Sequence, residues 1–243
     1  LLNRIRIRIA RNVLPHAAGI RVVSERICDS LIATYGTRIA HPHVIPIQVA
    51  GVVPETVPLP EHSFPFALVT VGRLEPEKRI QDIIVALGIV RDICPQVGLV
   101  VVGDGSEKPK LRELAHSLGL EHRVVFTEGW RTDAWGLVRS SQAYIQTSAY
   151  EGYGRTLIEA ALAEVPIITT DVGIVGEVFE GGTDVLAVPV ANLTALSVHI
   201  RELVENVALR TELTMHAKSK ALAHLAKTDT SAIGIVADLA RLL

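Results

Sequence analysis

The sequence predicts an α/β protein built on a parallel sheet with helices on both faces. Three observations carry that prediction. From residue 66 onward, short β-branched runs alternate with helix-length amphipathic segments. The strand runs are continuously apolar, as expected of strands buried on both faces. Loops rich in glycine and charge follow three of these runs directly. In such sheets ligands bind beyond the carboxyl ends of the strands. Residues 72–79, 103–106 and 148–159 are therefore where chemistry is expected.

The elements follow in order. The opening RIRIRIAR alternates strictly, which favours a strand, yet Arg4, Arg8 and Arg11 also share one helical face, so both readings stay open. GIRVVS (19–24) and VIPIQV (44–49) read as strands around a helix over 25–34. The proline-rich stretch after residue 50 reads as an irregular connector. FALVTVG (66–72), GLVVVG (98–103), RVVFT (123–127), AYIQT (143–147), VPIITT (165–170) and VLAVPV (185–190) read as strands. Helices are expected over 82–92, over 109–118 with Pro109 at its first position, near 133–139 and over 156–163. The end reads as helical over 192–226 and 230–242.

Bulk properties narrow the function. The 243 residues are 49 % hydrophobic with a formal charge of −2, which gives no reason to expect a nucleic-acid partner. Apolar stretches are broken by glycine, proline or charge before membrane-spanning length. Cys28 and Cys94 sit in apolar segments without metal-ligand spacing and read as buried thiols of a cytoplasmic protein. The chain starts Leu-Leu-Asn and its only methionine is Met215, which predicts that residue 1 is not the natural start.

The loops hold the candidate site. In VGRLEPEKRI, Gly72 ends a strand, Arg73 follows, and Lys78 and Arg79 stand where a helix begins. Cations there oppose the helix macrodipole, so a bound anion is the favoured reading for Arg73 and Lys78, with Arg79 on the surface. EGYGRTLIE places Gly152, Tyr153 and Gly154 between Glu151 and a helix start at Thr156. The glycines allow a tight turn that exposes backbone N–H groups. Arg155 adds a cation. Glu159 has a structural alternative, a capping box closed with Thr156, and Glu151 could pair with Arg155. Two cation-bearing helix starts at one sheet edge describe a diphosphate site, and two carboxylates accept sugar hydroxyls. The ligand class expected is a nucleotide sugar.

Together, VGRLEPEKRIQDIIVAL, VVGDGSEKPKLRELAHSLGLEHRVVFTEG and SAYEGYGRTLIEAALAEVPIITTDVG resemble the donor-binding half of a GT-B glycosyltransferase. The nearest likeness is to the group 1, GT4-type retaining enzymes with an E-x7-E motif. The resemblance implies a Rossmann-like domain over 51–243, with residues 1–50 a remnant of the N-terminal acceptor-binding domain and its connection. It implies that Arg73 and Lys78 neutralise the donor diphosphate, that Glu151 lies near the donor sugar and Glu159 at the ribose hydroxyls, and that backbone amides of residues 152–157, Leu157 included, complete the pocket. The base would pack near residues 125–130. Arg79 stands where the family commonly has glycine, and Arg155 where it has a small or aliphatic residue. The reaction implied is hexosyl transfer to an acceptor hydroxyl on a glycan, lipid or small molecule.

Other constellations point elsewhere or nowhere. The chain has no D-x-D pair, so cationic side chains rather than a metal or cofactor are expected at the diphosphate. GDGSEK lacks the last glycine of a dinucleotide fingerprint, and HPH (41–43) reads as loop. Trp130 and Trp135 read as packing residues. The arginines at 4, 6, 8 and 11 are candidates for peripheral contact with an anionic membrane face, though a solvated face is the simpler reading. The alternative to an enzyme is a non-catalytic nucleotide-sugar binding module that needs a separate acceptor-binding chain.

Overall fold

The structure, a computed structural model, describes residues 2–52, 54–60 and 64–240. The chain divides into two compact units, residues 1–48 with 227–243, and residues 49–226.

In the smaller unit the opening stretch is a helix, α1 (Leu2–Val13). Its alternating isoleucines do not form a strand, and among the described residues no strand lies beside them to take the ladder. Ile5, Ile9 and Val13 are exposed at 48 %, 57 % and 57 %. The two short strands β1 (Arg21–Val22) and β2 (His43–Val44) pair in parallel around α2 (Glu25–Tyr35), and Ile20, Val22, Cys28, Tyr35 and Ile39 form the core. The rest of VIPIQV stays outside the ladder, Pro46 having no N–H to give.

The larger unit holds a six-stranded parallel sheet. Its strands are β3 (Phe66–Val71), β4 (Val97–Val102), β5 (Val124–Phe126), β6 (Ala143–Gln146), β7 (Ile167–Thr170) and β8 (Leu186–Val188). Their order across the sheet is β5-β4-β3-β6-β7-β8. The chain builds outward from β3 in one direction, then returns to β3's other side with β6. The order thus reverses between β3 and β6, which opens a crevice at their carboxyl ends. Register is fixed by full burial. β3 and β4 pair over six positions, Phe66 with Val97 through Val71 with Val102, and β4 is buried throughout.

The helices α3 (Ile80–Val90), α4 (Lys108–Ser117), α5 (Ala134–Arg139), α6 (Arg155–Leu162) and α7 (Leu193–Glu205) connect or cover the strands. The final α8 runs Val207–Ala240, so the expected interruption near 227–229 is instead at Asn206. Asn206 leaves helical geometry there and its side chain accepts from Leu209 N–H at 2.9 Å, beginning the next helix. α4 starts one residue early, leaving Pro109 in its second position, where a missing N–H still costs nothing. Leu68, Ile83, Ile84, Leu87, Leu99 and Ile145 are fully buried at the heart of the core. Both cysteines are buried free thiols, and burial pushes both above the usual thiol range. No helix among the described residues is long and apolar enough to cross a membrane.

Candidate functional site at the sheet switch point

The loop after β3 carries the first cations. Gly72 leads into Arg73, and residues Pro76–Lys78 form one 3-10 turn before α3. Lys78 therefore closes a tight turn rather than opening the helix. Arg79 caps α3 with left-handed backbone geometry (φ 49°), the conformation glycine adopts most cheaply. It is not a free surface cation. Its guanidinium makes two bonds, 2.7 and 3.0 Å, to the buried Asp82 carboxylate. The loop after β4 closes over this segment: Leu74 N–H donates to Asp104 at 2.8 Å and Glu107 N–H to Leu74 at 2.9 Å. Gly103 is required by that closeness, since a Cβ there would lie 1.9 Å from the Gly72 carbonyl oxygen. Glu75 accepts from the Ser106 hydroxyl and N–H, which holds its carboxyl below the usual range.

The loop after β6 faces these residues across the switch point. The Thr147 hydroxyl donates to the carbonyls of Lys78 and Arg79 at 3.2 and 2.9 Å, and Ala149 N–H donates to Glu77 at 2.7 Å. These bonds stitch together the two loops on either side of the order reversal. Glu151 then meets Lys78, with Nζ 2.5 Å from Oε1, and also accepts from the Ser148 hydroxyl at 2.7 Å. Both members of the ion pair are mostly shielded, at 21 % and 14 % side-chain exposure. The pairing of Glu151 with Arg155, open from the spacing alone, is not the one formed.

The helix start is also different from the capping-box expectation. Gly154, at φ 91°, is the N-cap of α6, and Arg155 is its first residue. The Thr156 hydroxyl donates to Gln146 Oε1 at 2.5 Å instead of capping, and Arg155 pairs with Glu159 at 3.1 Å. Leu157 N–H donates to Gly154 at 2.9 Å, so it offers no amide to a ligand, and its side chain is fully buried. Glu159 keeps one carboxylate oxygen buried without a protein partner. Burial pushes its carboxyl above the usual range, with Arg155 opposing. An ionisable group held at such cost beside a cleft is a functional candidate.

Two hollows adjoin these groups. One, about 270 Å³, is lined by Gly72, Gly103, Trp130, Arg131, Thr156 and Glu159, among others. The second, about 400 Å³, is bounded by the connector residues Val52, Pro54 and Val57 with Trp135 and Glu159. Glu159 thus borders both. Trp130, expected as packing, is 71 % exposed at the rim of the first hollow. A narrower slot brings Gly72, Arg73 and Lys78 together with Gln146, Thr147 and Ser148. Arg73 itself is 68 % exposed and pairs with Glu77 at 3.2 Å. Among the described residues no three His, Cys, Asp or Glu side chains converge as a metal site would need.

Sequence reasoning missed several participants. Gln146, at the end of β6, receives both the Thr156 hydroxyl and that of Tyr144 (3.3 Å). Gly173 (φ 61°) lets the next loop touch the site, for a Cβ there would lie 2.4 Å from the Tyr153 carbonyl oxygen. Tyr153 does not face the cleft. It is 2 % exposed, and its hydroxyl lies 2.6 Å from His224 Nε2 on α8. The glycine before Ile174 was the one available sign of the first contact; nothing local signalled the second.

The chain is 33 % identical over 132 residues to lipopolysaccharide 1,6-galactosyltransferase of Salmonella typhimurium, covering 52 % of this chain and 35 % of that protein. It is 31 % identical over 150 residues to glycogen synthase of Mycobacterium tuberculosis, covering 59 % and 35 %. The chain thus spans about a third of the length of these relatives. Among solved structures, sucrose-phosphate synthase from Thermosynechococcus elongatus superposes with a TM-score of 0.85 at 19 % identity, covering 99 % of this chain and 63 % of that one. Anabaena HepE in complex with UDP and glucose superposes with a TM-score of 0.83 at 24 % identity, covering 95 % and 66 %. These likenesses show the GT-B fold. The family described as glycosyl transferases group 1 matches residues 59–220, the stretch that holds Arg73, Lys78, Glu151 and Glu159, and the chain belongs to that family.

Proposed function

We propose that residues 49–226 form the nucleotide-sugar site of a sugar-transferring enzyme. The acceptor hydroxyl, on a glycan, lipid or small molecule, attacks the anomeric carbon, and the nucleoside diphosphate leaves. The observation that carries this reading is the meeting of Lys78 with Glu151 at the switch point, beside Arg73 and the Gly154-capped start of α6. Negative charge grows on the departing diphosphate. Preorganised cations and helix N–H groups stabilise it more in the transition state than in the ground state. Arg73 and Lys78 are the groups proposed for that role, with no metal required. In this proposal Glu151 contacts the donor sugar and Glu159 the ribose, with the base against residues 125–130; Glu159 and Trp130 line the same hollow, which supports that arrangement. A retaining, GT4-type outcome is part of the proposal, supported by the E-x7-E resemblance that Glu151 and Glu159 carry. HepE, whose crystals hold UDP and glucose, and the galactosyltransferase relative favour a hexose donor.

Calorimetric titration of the 243-residue chain with UDP, GDP and ADP tests the site, beside a Lys78→Gln variant. One nucleotide is expected to bind, and the variant to bind it about ten- to a hundredfold more weakly, as loss of one charge-assisted bond of ~1.5–3 kcal/mol predicts. A folded chain that binds none of the three, or a variant that binds as tightly as the parent, would overturn the proposal.

A further inference from the structure

We propose that His224 is a positioning residue for the donor loop, holding the Tyr153 phenol so that the turn at residues 152–154 keeps its shape. This rests on the donor-site reading of that loop. Tyr153 lies between two glycines, the residues least able to fix a backbone by themselves. The loop is therefore held from outside. Before it, Glu151 is tied to Lys78 and Ser148. Within it, the Tyr153 carbonyl accepts from Ile174 N–H at 2.9 Å and presses against Gly173. The side chain is a further anchor. It reaches inward to α8, where its hydroxyl meets His224 Nε2 at 2.6 Å, with the ring centroids 6.1 Å apart.

The chemistry of the pair makes the anchor durable. Burial pushes the phenol up to about 12, so it keeps its proton across the physiological range. A neutral phenol can donate to a neutral imidazole or accept from a protonated one, and the contact survives either state. Without the imidazole the buried hydroxyl loses this partner. The favourable response is for the ring to turn toward water, and the flanking glycines let the backbone follow. Glu151 and the start of α6 would then shift with it.

The test uses the full chain with His224→Phe, His224→Gln, Tyr153→Phe and the double variant Tyr153→Phe with His224→Phe. Amide hydrogen exchange over residues 148–157 and calorimetric titration with UDP, GDP and ADP are measured on each. His224→Phe should speed exchange in that loop about tenfold and weaken nucleotide binding about five- to tenfold, and Tyr153→Phe, which strands no hydroxyl, should do both to a smaller extent. Exchange in β3 and β4 should not change. The double variant should be no worse than either single one, and His224→Gln, which keeps a polar partner, should recover most of the loss. Unchanged loop exchange, strictly additive losses, or a rise spread evenly over the sheet would overturn the proposal. A loop that loosens as expected in a chain whose parent binds none of the three nucleotides would support the anchor and overturn the donor reading beneath it.

Discussion

Lys78 already has a carboxylate partner, and that sets a condition on the diphosphate binding proposed for it. An entering phosphate competes with Glu151 for the same ammonium, and the shielded position of the pair makes that competition stronger than it would be at an open surface. Removing the carboxylate charge should free Lys78. Glu151→Gln is expected to tighten nucleoside diphosphate binding about three- to tenfold, the reach of a pair worth ~0.7–1.4 kcal/mol. The same change should erase the extra affinity of the matching nucleotide sugar. Calorimetry with both ligands checks this, and weaker diphosphate binding by the variant would sink the idea. The sequence showed both glutamates and all the cations. It did not show who pairs with whom, because the local options, Glu151 with Arg155 or Glu159 with Thr156, were as good on spacing as the pairings that the fold brings about across 73 residues.

Elements are joined here by residues in unusual backbone geometry, and two of them give opposite predictions. Arg79 (φ 49°) and Ala191 (φ 63°) both adopt the left-handed conformation, which costs an L-residue roughly 1–2 kcal/mol. Ala191 is exposed, so Ala191→Gly should stabilise by about 0.5–1 kcal/mol. Arg79 neutralises the buried Asp82 through two hydrogen bonds. Leaving a buried carboxylate alone costs about 3–5 kcal/mol, which exceeds the strain relieved. Arg79→Gly should therefore destabilise by about 1–4 kcal/mol, and adding Asp82→Ala should recover much of it. Denaturant midpoints for the parent and these variants decide the matter; a stabilised Arg79→Gly would mean that the ion pair contributes little. The strands and most helices were legible because continuous β-branched runs and amphipathic spacing are local signals. The helix over residues 2–13 was not, since its alternating isoleucines satisfy both periods and only a neighbouring strand, or the lack of one, settles the choice. The continuity of α8 past residue 227 was likewise invisible, because no glycine or proline marks either outcome there.

For the whole molecule, the order of the strands places the loops after β3, β4 and β6 at one edge. Ligand binding there should stabilise the folded chain by mass action. A nucleoside diphosphate at a hundred times its Kd adds about 2.7 kcal/mol. For a chain of this size that is a rise in Tm of roughly 5–10 °C. Because Arg73, Lys78 and the α6 start are proposed to carry the neutralisation, the rise should be the same in EDTA as in magnesium. A thermal shift lost on chelation would assign that work to a metal ion instead.

The sequence by itself determined the alternation of strand and helix, the family, and the short list of residues with the right chemistry. Those are properties of neighbours along the chain, where side-chain periodicity and glycine spacing act. The tertiary structure decided that Lys78 rather than Arg155 holds Glu151, that Arg79 is bound to Asp82, and that Tyr153 turns inward to His224. Each of these depends on which loops the sheet order brings within a few ångströms. Ion pairs and hydrogen bonds of this kind act only at short range, so no spacing along the chain could rank them.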